Sequence, residues 1–319
     1  RITEVTEFDA IADREHFIVA YPTGVDTAWN CFGNPHTGVD DIGFLSALID
    51  TLHEDYHIDL NRVYFTGMSN GGFMCYSAAC LLGHRVAAIA SVAGSTTDSM
   101  LVYCQPSRAM PIMHIHGDAD WIVNYNGSFV GGLGGNNSVD SSLQYWVQYN
   151  NCPSSPAETM LPDADETDGC TVRKILWAPC DNGSEIIHYR VIDGGHTWPG
   201  SPIDFNGWGG NANNDFKASE VIWEFFSQYT LQGKVTTSVN EASENFVFTV
   251  EPNPADDVLK VRGEGMKSMK LNDLSGKVIF HRKIENHAHT VSIAMLSSGM
   301  YFVVCEFEKE IRTFKIVKR

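Results

Sequence analysis

Apolar positions along the first 230 residues fall into two alternating textures. Short β-branched and aromatic runs read as buried strands, and longer stretches carry apolar residues at helical spacing. His16–Pro22 reads as a strand stopped by Pro22. Asp40 and Asp41 then open a helix with Ile42, Leu45, Leu48, Ile49 and Leu52 on one face. Arg62–Thr66 is a further strand, followed at once by small and apolar helical sequence from Phe73 to Cys80. Ala88–Gly94, Pro111–Gly117 and Glu185–Ile192 complete the strands, with helices over Ser141–Tyr149 and Ala218–Tyr229. Strands alternating with helices predict a mostly parallel sheet covered on both faces, with chemistry at the carboxyl ends of its strands.

After residue 231 the pattern changes. Residues 232–245 are polar and irregular, a linker, and 246–319 read as short alternating strands of a small all-β sandwich. Those strands are Phe246–Glu251, Val258–Val261, Lys277–His281, Thr290–Ile293, Met300–Phe307 and Ile311–Val317. Charge breaks at the same place. The 319 residues carry net −17; residues 1–245 hold 10 Lys/Arg against 30 Asp/Glu (−20) and residues 246–319 hold 12 against 9 (+3). So acidic a main domain argues against nucleic acid or an anionic membrane as partner. There is no apolar run of membrane-spanning length and no signal peptide at Arg1, where a front segment is expected to be missing.

The chemistry centres on Gly67-Met68-Ser69-Asn70-Gly71-Gly72, a Gly-x-Ser-x-Gly between strand and helix. A serine on so tight a turn has strained backbone angles and needs small neighbours, and the following helix N-terminus favours developing negative charge. A serine nucleophile needs a base, and the base an orienting carboxylate. In the chain order Ser…Asp…His the carboxylate is Asp118 or Asp120, just past one strand, and the base is His196, just past the strand ending at Ile192. Two other histidines, His114 and His116, lie on a strand and read as core residues or supports of the site rather than metal ligands. Asp163, Asp165 and Asp168 read as a solvated acidic loop, since their register does not match a calcium loop. The glycine-rich loops Gly131–Asn137 and Gly207–Asn214 are too irregular for a dinucleotide fingerprint and are expected to border the cleft. The eight cysteines form no Cys-x-x-Cys pair or zinc spacing and suit disulfides in an oxidising compartment. Cys80 with Cys104 and Cys152 with Cys180 are the favoured pairs, although spacing alone does not fix connectivity. No cofactor or metal is expected.

Taken in order, Asp40-Asp41-Ile42-Gly43-Phe44, the Ser69 hexapeptide, His116-Gly117-x-x-Asp120-x-x-Val123-x-Tyr125 and Gly195-His196-Thr197-Trp198-Pro199-Gly200 resemble the secreted polyhydroxybutyrate depolymerase and feruloyl esterase group. These are α/β-hydrolases like carbohydrate esterase family 1, and the resemblance covers about residues 8–228. It implies Ser69 as nucleophile, Asp120 rather than Asp118 as acid, His196 as base and the Asn70 backbone N–H as an oxyanion donor. It also supports the two cysteine pairings. Asn124 stands where the group usually has proline. The group carries two or three further strands before the segment matching residues 8–22, one ending in a His-Gly loop that gives the second oxyanion N–H. This chain lacks that stretch, and an N-terminally truncated fragment of a longer precursor is expected.

In the tail, Glu251-Pro252-Asn253-Pro254, Leu274-Ser275-Gly276-Lys277, Leu296–Tyr301 and Phe314–Lys318 are similar to a type IX secretion C-terminal sorting domain. That resemblance implies a secreted or surface protein whose residues 246–319 engage the secretion machinery. An accessory carbohydrate-binding sandwich is the alternative, but the tail has Tyr301 and no tryptophan. The expected activity is serine ester hydrolysis of a feruloyl or related acyl ester on plant-wall xylan, with polyhydroxyalkanoate depolymerisation as the alternative. A non-catalytic binding or surface protein on a degraded hydrolase fold is the rival of another class. Trp121 and Trp198, next to the acid and the base, either line an acyl pocket or pack in the core.

Overall fold

A computed structural model describes residues 1–31, 38–130, 134–203, 207–235, 249–263, 265–273, 277–284, 288–307 and 311–319. The chain divides into two compact units, residues 1–235 and 236–319.

In the first unit, helices α1 (Ile2–Thr6), α2 (Phe8–Glu15) and α3 (Asp41–Tyr56) precede strand β1 (Tyr64–Met68) and helix α4 (Asn70–Leu81). There follow β2 (Ala88–Val92), α5 (Asp98–Tyr103), β3 (Ile112–Gly117), a hairpin of β4 (Ser128–Val130) and β5 (Gly134–Asn136), and α6 (Val139–Tyr149). Strands β6 (Ala157–Met160), β7 (Thr171–Trp177) and β8 (Ile186–Ile192), helix α7 (Ala218–Phe226), and the two-residue strands β9 (Tyr229–Thr230) and β10 (Gly233–Lys234) complete it. The main sheet has the order β1-β2-β3-β8-β7-β6. Its first four strands run parallel and its last two antiparallel. This is the α/β-hydrolase arrangement, with Ser69 at the strand–helix turn.

Strand alternation divides the core. Ile89, Ile112 and Ile186 face α3, α4 and α6, packing with Leu45, Phe73, Tyr76, Leu143 and Trp146. The intervening Ala90, Met113, Ile115, Ile187 and Val191 face the other way, onto Phe8, Ile222, Phe225 and Trp198. Helix α4 is buried along nearly its whole length and so shows no amphipathic stripe. Helix α3 keeps Leu45 and Ile49 inward, and its N-cap Asp40 accepts a hydrogen bond from the Gly43 N–H. Disulfides join Cys80 to Cys104 and Cys152 to Cys180.

Three expectations need correction. First, Phe17–Tyr21 forms no strand and pairs with none among the described residues, so β1 is the sheet edge there. The alternation survives without the ladder. Phe17, Val19 and Tyr21 turn inward, Phe17 stacks on Trp223 at 4.0 Å, and Ile18 is 49 % exposed. Second, the proposed linker begins inside the first unit. Gly233–Lys234 pair with Tyr229–Thr230, and Lys234 is bonded to Glu185 at 2.9 Å. Third, the final helix stops at Phe226, and Tyr229 is in strand. Residues 236–248, which hold the rest of the linker and the start of the strand expected from Phe246, lie outside the described residues.

The second unit holds two antiparallel sheets. One pairs β11 (Thr249–Glu251), β12 (Val258–Arg262) and β15 (Ala288–Ser292). The other has the order β14-β13-β16-β17, from β13 (Ser268–Asn272), β14 (Val278–Lys283), β16 (Gly299–Glu306) and β17 (Ile311–Lys318). Leu259, Val261, Met269, Leu271, Ile293, Val303, Cys305 and Ile316 form its core. Strand β13 is absent from the sequence expectation, because its alternation is confined to Met269 and Leu271 on either side of Lys270. The Leu274–Gly276 part of the tail motif lies outside the described residues.

Candidate active site

Ser69 follows β1 directly and caps α4 with φ +56 and ψ −120, a conformation that L-residues adopt only when surroundings force it. Its N–H donates to the Val92 carbonyl at 2.9 Å, which ties the turn to the neighbouring strand end. A Cβ at Gly94 would lie 2.7 Å from the Ser69 carbonyl, so a glycine is required beneath the serine. These contacts hold the serine above the sheet, at the start of a helix whose first N–H groups have no intrahelical acceptor.

The residues expected as acid and base stand past two other strand ends. Past β3, Asp118 and Asp120 have different partners. Asp118 accepts from Arg190 Nε at 3.0 Å and from the Asp193 N–H at 2.8 Å, tying β3 to the loop after β8. Asp120 is buried and its Oδ2 accepts from His196 Nδ1 at 2.7 Å. Its Oδ1 accepts the N–H groups of Ile122 and Val123 at 2.8 and 2.9 Å. Burial pushes the Asp120 carboxyl up, but hydrogen bonds from His116 and His196 outweigh it and hold the group well below the usual range. His196 is itself held by the loop 207–214. Its N–H donates to the Gly209 carbonyl, and the Gly195 N–H donates to Asn211 O at 2.9 Å. A side chain at Gly195 would strike the Gly209 backbone. The acidic loop supports the same region, with Asp168 accepting from the Asn214 N–H at 2.7 Å and Asp215 from the Ala164 N–H at 2.7 Å. In the other glycine-rich loop, residues 131–133 lie outside the described residues.

The structure thus joins Asp120 to His196 and puts Ser69 at the end of the same parallel sheet. Among the described residues no hydrogen bond links the Ser69 hydroxyl to the imidazole; such bonds commonly tighten only with substrate in place. Trp121, beside Asp120, is 66 % exposed. Trp198 is a correction. It is 2 % exposed, packs edge-on against Phe8 at 6.4 Å and donates its indole N–H to Ser219 Oγ at 3.1 Å, so it is a core residue.

Two features add to what the sequence predicts. The Asn70 side chain accepts from the Trp29 N–H at 2.7 Å and donates back to the Trp29 carbonyl at 3.1 Å, clamping that loop to the serine turn. His116 Nε2 lies 3.3 Å from Asp120 Oδ2, so the carboxylate has two imidazole neighbours. The i, i+2 placement of His114 and His116 on an apolar strand was the signal for the second.

Residues 249–319 match the secretion system C-terminal sorting domain. Such a tail addresses a protein for type IX secretion to the cell surface or exterior. The chain is 29 % identical over 239 residues to a bifunctional acetylxylan esterase/xylanase of Neocallimastix patriciarum, covering 74 % of this chain and 30 % of that protein. It is 26 % identical over 224 residues to feruloyl esterase B of Piromyces equi, covering 67 % and 37 %. The chain therefore spans about a third of the length of each of these two relatives. Among solved structures, the acetyl xylan esterase from Aspergillus awamori matches at 14 % identity with a TM-score of 0.46, covering 70 % of this chain and 81 % of that one. Among the described residues no helix is long and apolar enough to cross a membrane. The chain joins an α/β-hydrolase unit similar in sequence to acetylxylan and feruloyl esterases to a type IX secretion C-terminal sorting domain.

Proposed function

We propose that the protein is an exported serine carboxyl-ester hydrolase that removes feruloyl or related acyl groups from plant cell-wall xylan. The observation that carries this reading is the buried Asp120–His196 pair at 2.7 Å, at the same end of the sheet as a serine held at φ +56. With Nδ1 committed to Asp120, His196 uses Nε2 to take the Ser69 proton as Oγ attacks the ester carbonyl. Asp120 holds that tautomer and stabilises the imidazolium. The Asn70 N–H, at the first turn of α4, donates to the developing oxyanion. His196 then protonates the leaving alcohol, and water resolves the acyl-enzyme by the reverse proton path. No step needs a cofactor. Exposed Trp121 offers an aromatic surface to an aromatic acyl group, and residues 246–319 engage the type IX secretion machinery.

The substrate assignment draws on the relatives, which are named for acetylxylan and feruloyl esters. The test is turnover of methyl ferulate and acetylated xylan by the full chain beside Ser69→Ala, with both shown to be folded by circular dichroism. Turnover lost by a factor of about 10³ or more in the variant supports the reading. Unchanged turnover in Ser69→Ala refutes it. Hydrolysis confined to polyhydroxybutyrate would move the substrate to a polyester. A folded chain inert to esters and to an organophosphonate probe would be a binding protein.

A further inference from the structure

Behind Asp120 lies a buried run of polar groups that the proposed reaction does not use. Tyr76 on α4 and His114 and His116 on β3 are all almost fully buried. Tyr76 Oη is 2.8 Å from His114 Nδ1, and His114 Nε2 is 3.2 Å from His116 Nδ1. His116 Nε2 is 2.8 Å from the Val123 carbonyl and 3.3 Å from Asp120 Oδ2. The two imidazoles stack nearly parallel, with centroids 5.3 Å apart.

The direction of every bond follows from its ends. A carbonyl only accepts, so His116 Nε2 carries a proton. In neutral His116, Nδ1 is then an acceptor, which requires a proton on His114 Nε2. Neutral His114 in turn accepts at Nδ1, and Tyr76 donates its phenolic proton. Burial supports both conditions by holding the Tyr76 phenol up in pKa and the His114 imidazole well down. Protonating His116 would reverse the two upstream bonds and leave the Tyr76 proton to find another acceptor. The neighbouring elements add no acceptor to this line. His188 on β8 donates from Nδ1 to the His114 carbonyl, and its Nε2 and Asp140 Oδ1 both face the single hydroxyl proton of Tyr125. Arg190 is paired with Asp118.

We propose that Tyr76, His114 and His116 form a one-way hydrogen-bond relay that fixes both histidines as Nε2–H tautomers and makes His116 a positioning residue for Asp120. The relay fixes the polarity of the His116 Nε2–H, which is bonded to the Val123 carbonyl and stands 3.3 Å from Oδ2, the oxygen already bonded to His196. Its catalytic consequence rests on the serine-esterase reading above; its tautomers do not.

The deciding measurement is long-range ¹⁵N–¹H correlation of the full chain labelled at histidine, between pH 5 and 9. Signals are assigned by their loss in His114→Gln and His116→Gln. The expected spectrum has pyrrole-type Nε2 and pyridine-type Nδ1 for both residues across that range. An Nδ1–H tautomer, or a doubly protonated ring at either position, overturns the relay whether or not the chain hydrolyses esters. The kinetic companion is Tyr76→Phe, which removes the terminal donor without changing shape. His116→Leu, which removes the N–H that stands 3.3 Å from Asp120, is the stronger perturbation. With that N–H gone, the carboxylate charge acts more fully on His196, and the acid limb of kcat/KM moves up by about half a pH unit. The maximum falls about tenfold. Tyr76→Phe moves both the same way by less. Loss of activity in the two variants with an unmoved acid limb would mean that these residues only pack, and would overturn the positioning role.

Discussion

On the face of the sheet covered by α2 and α7, β3 presents Met113 and Ile115 to Phe8, Ile222 and Phe225. On the face covered by α4 and α6, the same strand presents His114 and His116 to Tyr76 and Tyr125. The polar side is graded along the strand. In the parallel register Ile112 stands beside Ile186, His114 beside His188, and His116 beside Arg190. Polarity therefore rises toward the carboxyl end, where Asp120 and His196 meet. One face supplies non-directional burial; the other supplies bonds whose geometry and proton positions matter. Stability and orientation of the site are thus assigned to opposite sides of one strand.

Changes at the polar rim should alter rate far more than stability. Asp120→Asn keeps the shape but favours the wrong His196 tautomer, so kcat falls by about 10⁴ while circular dichroism is unchanged. A fall of less than tenfold would remove Asp120 from its role. On the apolar face the split reverses. Phe225→Ala empties a site 1 % exposed and costs about 3–5 kcal/mol by urea denaturation, with kcat of the folded fraction within twofold. A large kcat loss there would show that the two faces are not separable.

Acid should expose the polar face through stability as well. Burial, above all, holds the His188 imidazole at about 4, against about 6.5 in an unfolded chain. Between those values the unfolded chain takes up a proton that the folded one refuses. Stability therefore falls as pH drops from 6.5 to 4, by up to about 3 kcal/mol from this group. His114 acts in the same direction. His188→Phe should flatten the slope of unfolding free energy against pH in that window, and an unchanged slope would contradict the assignment. The smallest effect separates the two tryptophans. Trp121→Ala should raise KM for methyl ferulate a few-fold, about 1 kcal/mol, without changing stability. Trp198→Ala should destabilise instead.

The parallel strands and their helices were legible because periods of 2 and 3.6 in apolar residues are local. The misses are places where local signals are weak or partners are remote. Strand β6 has four exposed residues and no inward face of its own, so only pairing with β7 defines it. Phe17–Tyr21 has strand sequence and strand alternation, yet a strand exists only where another backbone accepts its hydrogen bonds. The choice of Asp120 over Asp118 came from resemblance. In the structure it rests on Arg190 and Asp193 occupying Asp118.

The sequence by itself determined the strand–turn–helix at Ser69, since a Cβ at Gly67 would strike the Gly71 backbone and one at Gly72 would strike Ser91. A change of pattern after residue 231 and of charge across 245/246 also led the sequence to predict two units. Only the tertiary structure decided that Trp198 is core, that Asn70 clamps Trp29, and that a relay of fixed polarity ends on the Val123 carbonyl beside Asp120. Those facts depend on groups tens of residues apart in the chain. The direction of a buried hydrogen bond is set by what stands at its far end, which no local pattern records.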